Sequence, residues 1–437
     1  MRILFTISLL ELFIGGGGRL IHVGPISLRM VLFALCLCAT VVAIMFPRRK
    51  SDGLMLAISL ALAYLVIHVG GMLVGAIYSG DTPKIFGEFQ QSLYWLAAPF
   101  LALMLQSEAD VEKTARLVVL SGLILTFGYL AIVVALITGV VGLGMARSLL
   151  TSGGEVQFRS GEFFIYKGFL YLGIAAVFLV AYRRRFWIPL VIIVAIAMVL
   201  TFTRGFLLSG SVAIFGLLCA QRRWRTALPA LILMGAGVLF LWVYVPSTED
   251  VSGGRYEAST NQRLQDIGYM IDHVTANTLI TGEGYASLID NRYQIENTFL
   301  WVLWKLGVVG LVFWIVPFLL CVRYYFKISD RRTNPAANAY MFGVVLIYVQ
   351  TNMNPFLNNP IGLSFVLVAL FSLRTLARIT NAPPPQTSPS GSKRSSQREL
   401  SSIEHQRDPH AEQCPEDEAK DDHQELVRPG GSIRVGR

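Results

Sequence analysis

Charge is scarce in this chain of 437 residues, where Asp, Glu, Lys and Arg make up only 15%, against roughly 25% in soluble domains. Long polar stretches are also missing before about Leu373. Apolar runs recur instead, each near the roughly 20 residues that cross a bilayer. A backbone inside hydrocarbon must satisfy its own hydrogen bonds, so these runs are predicted helices. The sequence excludes a soluble globular protein and predicts an all-α polytopic membrane protein.

The sequence also lacks the signatures of several enzyme classes. It has no phosphate-binding P-loop, no H-E-x-x-H motif, no G-x-S-x-G motif and no paired C-x-x-C. Its five cysteines show neither a disulfide framework nor metal-ligand spacing. ATP-driven transport and zinc hydrolysis therefore lose most of their support.

Basic residues are in excess, and membrane topology explains them better than nucleic-acid binding does. The net charge is +9, yet the basic residues form short runs beside apolar segments and do not cluster with aromatics. These runs are Arg48–Lys50, Arg183–Arg185, Gln221–Arg225 and Arg323–Arg332. By the positive-inside rule their side of the membrane is cytoplasmic, as are both termini. We expect a lipid bilayer, and no nucleic acid, around this chain.

The apolar runs predict about twelve transmembrane helices within a membrane domain of residues 1–376. The predicted crossings are 3–19, 27–46, 53–78, 89–105, 117–143, 163–182, 186–202, 205–220, 227–245, 297–322, 337–353 and 358–373. One outer connection is long, at 246–296, and its residues Leu264, Ile267, Ile271 and Val274 have helical spacing. They predict an amphipathic helix lying over the membrane domain. Residues 377–437 are rich in Pro, Ser, Gln and charge, which predicts a disordered cytoplasmic tail.

Two arginines stand at the predicted outer boundary, where an uncompensated charge is costly. Arg204 follows Thr203 in a bend between two crossings, and its guanidinium fork suits a phosphate. An arginine extending to lipid headgroups explains the same position and is the commoner outcome. Arg263 lies in the predicted loop helix and suits a second anionic group. A solvated helix face is the alternative there, and Arg255 and Arg292 compete for the role.

A carboxylate and an amide, Glu296 and Asn297, stand at the mouth of an otherwise apolar crossing. A partly desolvated carboxylate at that place suits a general base. An acidic residue that interacts with the dipole at a helix N-terminus is an equally good interpretation. Position alone does not decide between the two.

The order of these pieces resembles the O-antigen ligase and polysaccharide polymerase superfamily. The shared pattern is a Thr-x-x-Arg-Gly bend at Thr201–Gly205, a long outer loop, and a motif entering the next crossing, with Asn297, Gly307 and Gly310 at the family spacing. Thr281–Tyr285 also looks like the glycine-rich turn that precedes this motif. Glu296 stands where the family typically has histidine. The resemblance covers the chain to about residue 373.

The resemblance implies a membrane-embedded glycosyltransferase of the GT-C type in the bacterial inner membrane. Such an enzyme transfers a glycan from undecaprenyl diphosphate to a hydroxyl with inversion, without a cofactor. Arg204 and Arg263, with Thr203, would bind the diphosphate, Glu296 would deprotonate the acceptor hydroxyl, and Asn297 would position it. Cation-dependent relatives carry acids in the first outer loop, and residues 16–26 contain none, so no metal is expected.

Within the superfamily, the altered histidine favours a polysaccharide polymerase over a ligase. The ligase remains an alternative, as does a lipid-linked glycan flippase or transporter. A transporter should keep its polar residues near the membrane midplane, whereas Arg204, Arg263 and Glu296 lie at one predicted surface. The resemblance also implies a chain-length regulator and a flippase of the same pathway as partners.

Overall fold

The computed structural model describes residues 1–381, apart from 17, 19–20, 25, 47–52, 152–153, 161, 224, 227, 229–234, 236–252, 290–291 and 294. Nearly all of the predicted crossing at 227–245 lies outside the described residues. The first part of the long loop, 246–252, and the tail from 382 onward lie outside them as well.

Helices make up most of the described chain. They are α1 Arg2–Ile14, α2 Leu28–Met45, α3 Leu54–Tyr78, α4 Thr82–Ser92, α5 Ala98–Met104, α6 Glu108–Ile137, α7 Leu143–Thr151, α8 Leu170–Tyr182, α9 Trp187–Leu200, α10 Arg204–Ala220, α11 Gly253–His273, α12 Ala276–Thr281, α13 Thr298–Lys327, α14 Pro335–Gln350 and α15 Pro360–Thr380. Short 3₁₀ turns at Leu93–Ala97 and Lys167–Phe169 lead into α5 and α8. The last helix therefore continues four residues beyond the predicted end of the membrane domain.

Among the described residues, five helices are long and apolar enough to cross a membrane, namely α2, α3, α6, α13 and α15. Four apolar segments are shorter: α8 with its 3₁₀ turn, α9, α10 and α14. The predicted class, a polytopic helical membrane protein, is confirmed.

The centre of the bundle is formed by α15, with α13 and α14 packed beside it. In the most apolar window of α15, 89% of residues are buried, against 22% in α2. Tyrosine hydroxyls inside the bundle are satisfied by main-chain carbonyls: Tyr171 donates to Ile361 O at 2.9 Å and Tyr340 to Val111 O at 2.9 Å. An outer helix such as α2 instead leaves its apolar side chains to lipid.

Two short antiparallel hairpins interrupt the predicted all-α pattern. One joins β1 His22–Val23 to β2 Ile26–Ser27, and the other joins β3 Val156–Ser160 to β4 Phe163–Tyr166, with Val156 opposite Tyr166. The start of the crossing predicted at 163–182 is therefore a strand, in keeping with its aromatic residues. The Tyr166 hydroxyl fixes it to the end of α1 by donating to Ile14 O at 2.7 Å.

The long loop contains the expected helix, α11, but its apolar positions are not the buried ones. Leu264, Ile267 and Ile271 are exposed, whereas Met270 and the carboxylate of Asp266 are buried. Asp266 forms an ion pair with Arg292, which explains why a charged residue occupies the inner face. Helical spacing identified the element but not the face that packs.

Candidate active site

The bend between α9 and α10 fixes Thr203 and Arg204 at one end of the bundle. The Thr201 hydroxyl donates to Met198 O at 2.7 Å and closes α9, and Phe202 adopts a left-handed φ of 50°. The Thr203 hydroxyl donates back to Thr201 O at 3.1 Å, and Arg204 begins α10. Because the reversal takes so few residues, the partly buried Arg204 side chain starts from the helix end itself.

A turn at the end of α14, residues 350–353, packs directly against this bend, and we call it the hub turn. A Cβ added to Gly205 would lie 3.0 Å from Met353 Sδ and 3.1 Å from Gln350 Nε2. The Ser209 hydroxyl donates to Gln350 Oε1 at 2.9 Å. A side chain at position 205 would therefore require Met353 and Gln350 to shift by a few tenths of an ångström.

The other predicted charges meet on the same turn. Arg263 Nε donates to Glu296 Oε2 at 2.6 Å, and Arg263 Nη2 lies 2.5 Å from the same oxygen. Arg263 Nη2 also donates to the carbonyl of Met353 at 3.2 Å. Both side chains keep substantial exposure, 37% for Arg263 and 42% for Glu296. The pair is thus accessible to a ligand.

Asn297 caps α13, which explains its place beside Glu296. Its Oδ1 accepts from the N–H groups of Phe299 at 3.0 Å and Leu300 at 3.1 Å. The next residue joins the hub turn, since Thr298 N donates to Thr351 O at 3.1 Å. The cap satisfies helix N–H groups that have no partner within the helix, so Asn297 has a structural role whether or not it touches substrate.

All five predicted site residues therefore gather around one turn. Arg263 contacts Glu296, and Asn297 is fixed beside Glu296. Thr203 and Arg204 lie in the bend whose next residue, Gly205, packs against Gln350 and Met353. The competing Arg292 is paired with Asp266. The side chain of Arg255 lies outside the described residues.

Gly307, one of the glycines of the superfamily motif, forms a break in α13 that receives the Thr281–Tyr285 turn. α13 is broken at Gly307, where φ is 64° and ψ is −166°. The break frees the carbonyls of Trp304 and Lys305, which accept from Glu283 N at 2.7 Å and Gly284 N at 3.0 Å. A Cβ on Gly307 would lie 2.4 Å from Ile280 O. The Thr281–Tyr285 turn is thus inserted into the break, and its backbone is satisfied there.

A buried ion pair holds this turn in place. Lys305 Nζ lies 3.1 Å from Glu88 Oε1 and donates to Ser287 O at 2.5 Å. The other carboxylate oxygen, Glu88 Oε2, accepts from Ala286 N at 3.0 Å. Ala286 and Ser287, which directly follow the turn, are thereby held to α4 and α13, so Lys305 is part of the scaffold.

Other ionisable residues in apolar surroundings also have partners. Arg29 Nε donates to Glu11 Oε2 at 2.8 Å, and His68 hydrogen-bonds the Tyr285 hydroxyl. Hydrogen bonding between helices accounts for them, as expected for polar groups in a membrane domain. Across the described ranges, no group of three or more His, Cys, Asp or Glu side chains is arranged to hold a metal ion.

Comparison with known proteins bears on the predicted resemblance of the whole chain. The chain is 26% identical to the O-antigen polymerase of Shigella flexneri over 387 residues, which cover 86% of this chain and 96% of that protein. This chain is a relative of that polymerase. The predicted resemblance to the O-antigen ligase and polysaccharide polymerase superfamily is confirmed. No protein-family model matches the chain.

The hub turn itself was not predicted. Met353 contributes a main-chain carbonyl, and Gln350 lies at the end of an apolar helix, so neither residue carries a recognisable motif. The residues that carry the superfamily resemblance, from Thr201 to Gly310, all precede this turn in the sequence. The contact of Arg263 with Glu296 crosses 33 positions of sequence, and local patterns cannot report it.

Proposed function

We propose that this protein polymerises undecaprenyl-diphosphate-linked oligosaccharide repeat units into exopolysaccharide or O-antigen. The observation that carries the proposal is the accessible Arg263–Glu296 pair beside the Arg204 bend. It places cations for a diphosphate next to a carboxylate for a hydroxyl. The relationship to an O-antigen polymerase supports the substrate class.

The proposed location is the periplasmic face of the bacterial inner membrane, with about twelve crossings of a GT-C-like domain and both termini cytoplasmic. The basic runs at alternate connections support this orientation. The candidate site lies at the end of the bundle where α10 and α13 begin and α14 ends. That is the end to which the orientation assigns the periplasm.

In the proposed reaction, Arg204 and Arg263 bind the diphosphate of the donor, with Thr203 beside them. The acceptor hydroxyl oxygen attacks the anomeric carbon as the bond from that carbon to the diphosphate oxygen breaks. The electron pair leaves on undecaprenyl diphosphate, where the guanidinium groups stabilise it. Glu296 takes the hydroxyl proton, and the configuration inverts. The arginines supply the positive charge, so the proposed transfer is metal-independent.

The ion pair suggests how donor binding prepares the carboxylate. A diphosphate is a stronger anionic partner for Arg263 than a single carboxylate, and guanidinium binds phosphate bidentately. Donor binding would draw Arg263 away from Glu296 Oε2, the oxygen it now occupies. That oxygen then becomes the acceptor for the hydroxyl proton. Glu296 serves first to position Arg263 and afterwards as the base.

The decisive experiment measures polymer length in a deletion strain that carries Arg204→Ala, Arg263→Ala or Glu296→Gln. Removing one charge-stabilising donor typically costs about 10²–10³ in rate, and removing a general base about 10²–10⁴. We therefore expect short-repeat glycan in all three strains at normal membrane levels of protein. Arg147→Ala removes an exposed arginine outside this cluster and should leave polymer length unchanged.

Other outcomes identify other functions. A deletion strain that makes full-length polymer but does not attach it to an acceptor would indicate a ligase. Purified protein that moves lipid-linked glycan across vesicles without lengthening it would indicate a flippase. Long polymer in all three variants would contradict the proposed roles of these residues.

A further inference from the structure

A separate cleft lies beside the candidate site, between the β3–β4 hairpin and the segment that follows α14. Its volume is about 430 Å³, within the roughly 300–1,000 Å³ of small-molecule sites. Its walls come from residues 154–167 and 354–361, and Arg204, Arg263 and Glu296 are not among them. The cleft is therefore a neighbour of the cluster already described and not part of it.

Polar side chains line much of this cleft. Three carry amides, at Gln157, Asn354 and Asn359, and two are charged, Glu155 and Lys167. Amides both donate and accept, a carboxylate accepts, and an ammonium donates. Lys167 Nζ lies 3.9 Å from Glu155 Oε2, so the two charges compensate each other. This lining suits a neutral ligand with many hydroxyl groups.

The remaining wall is apolar. Phe356 lines the cleft with Ile165 and Ile361, and its ring is supported by Phe206, with the ring centroids 5.8 Å apart. A sugar ring presents hydroxyls at its edge and C–H groups on its faces, so it matches a site that is polar on one side and apolar on the other. An acyl chain would leave the amides unpaired, and a diphosphate would meet a lysine already compensated by Glu155.

Two of the residues that line the cleft connect it to the candidate site. Asn354 directly follows Met353, whose carbonyl accepts from Arg263. Phe356 packs on Phe206, which lies two residues beyond Arg204. The cleft is thus joined to the candidate site through Asn354 and through the contact of Phe356 with Phe206.

We infer that this cleft binds a sugar of the acceptor glycan and thereby sets which hydroxyl reaches Glu296. The inference rests on the proposed function. The donor is held by its lipid and by its diphosphate at the arginines, whereas the acceptor sugar has no charge to fix it there. It needs a neutral polar site of its own next to the base, and Gln157, Asn354 and Glu155 supply one.

The test uses the purified full-length chain with two glycans from the deletion strain. The lipid-linked repeat unit that accumulates there is the donor, and the lipid-free oligosaccharide released from it by mild acid is an acceptor that cannot donate. Gln157→Ala and Asn354→Ala should each raise the KM for the lipid-free acceptor about five- to tenfold, the effect of one neutral hydrogen bond. The kcat and the KM for the donor should change little.

Matched controls remove exposed amides outside the cleft. Gln90→Ala in α4 and Asn277→Ala in α12 delete the same groups from exposed helix surfaces, and both should keep the parent KM values. Asn359 is avoided because its Oδ1 caps α15 by accepting from Ile361 N at 3.2 Å. A loss there would mix stability with binding.

The outcomes separate this inference from the proposed function. An unchanged acceptor KM in both variants overturns the cleft as an acceptor site, and so does a raised KM for the donor alone. If the parent forms no polymer, saturation-transfer NMR with the lipid-free oligosaccharide decides. A signal in the parent that weakens in Gln157→Ala and Asn354→Ala supports the sugar site, and no signal in the parent overturns it.

Discussion

The ion pairs Arg263–Glu296 and Lys305–Glu88 each join a cation to a carboxylate, but they differ in their exposure to solvent. Arg263 and Glu296 are 37% and 42% exposed, whereas Lys305 and Glu88 are 0% and 9% exposed. An exposed pair is held weakly and exchanges partners easily. A buried pair contributes mainly by preventing an uncompensated charge, so either partner alone is costly. The first pair is suited to a substrate, and the second to holding the structure that presents it.

The largest effect is expected from breaking the buried pair. Lys305→Ala leaves the Glu88 carboxylate without its cation inside the protein, which should cost about 3–5 kcal/mol of stability. Monodisperse protein remaining after heating in detergent measures the loss. Lys113→Ala is the control, because it removes an exposed lysine from the surface of α6.

The double variant Glu88→Gln with Lys305→Met sharpens the same test. It removes both charges while keeping an acceptor for Ala286 N, and it should recover part of the stability lost in Lys305→Ala. If Lys305→Ala is as stable as the parent, the pair does not hold the turn.

A smaller effect is expected at the helix break that receives the turn. Gly307→Ala puts a side chain at a φ of 64° and a Cβ 2.4 Å from Ile280 O. Backbone strain of this kind costs about 1–3 kcal/mol, and the same heating assay should detect it. Gly70→Ala is the matched control, since a Cβ there meets no atom within 4 Å. Equal stability of the two variants would contradict a constrained break.

The smallest effect on stability is expected at the exposed pair. Arg263→Ala and Glu296→Ala should each change the free energy of unfolding by less than about 1 kcal/mol, although both should abolish long polymer. A stability loss as large as that of Lys305→Ala would make the pair structural. The contrast between the two pairs would then disappear.

Much of the fold could be predicted because a membrane helix is recognisable from its own contiguous apolar sequence. The apolar runs located α2 and α3 to within a residue or two, and the bend at Arg204 and the start of α13 were placed correctly. Gly71 and Gly75 in α3 form a small-xxx-small pair, a spacing that allows close packing. Tyr285 indeed lies against them, since a Cβ on Gly75 would fall 2.2 Å from Tyr285 O.

The partners of the charged residues could not be predicted in the same way. Lys305 and Glu88 are separated by 217 positions, and no periodicity connects them. The sequence predicted the start of a crossing where strand β4 lies, because an aromatic apolar run fits a strand and a helix equally well. The candidate residues were found from their chemistry and the resemblance, whereas their meeting point is a property of the folded chain.

The break at Gly307 makes α13 two rods, 298–306 and 308–327, in place of one. In a continuous helix, one inserted residue turns everything beyond it by about 100°. Here the direction of the first rod is set by the turn inserted at the break and by the hydrogen bond from Thr298 N to Thr351 O. A residue gained or lost in the second rod would leave the direction of Glu296 unchanged. The orientation of Glu296 and the helical register of residues 308–327 can therefore vary independently.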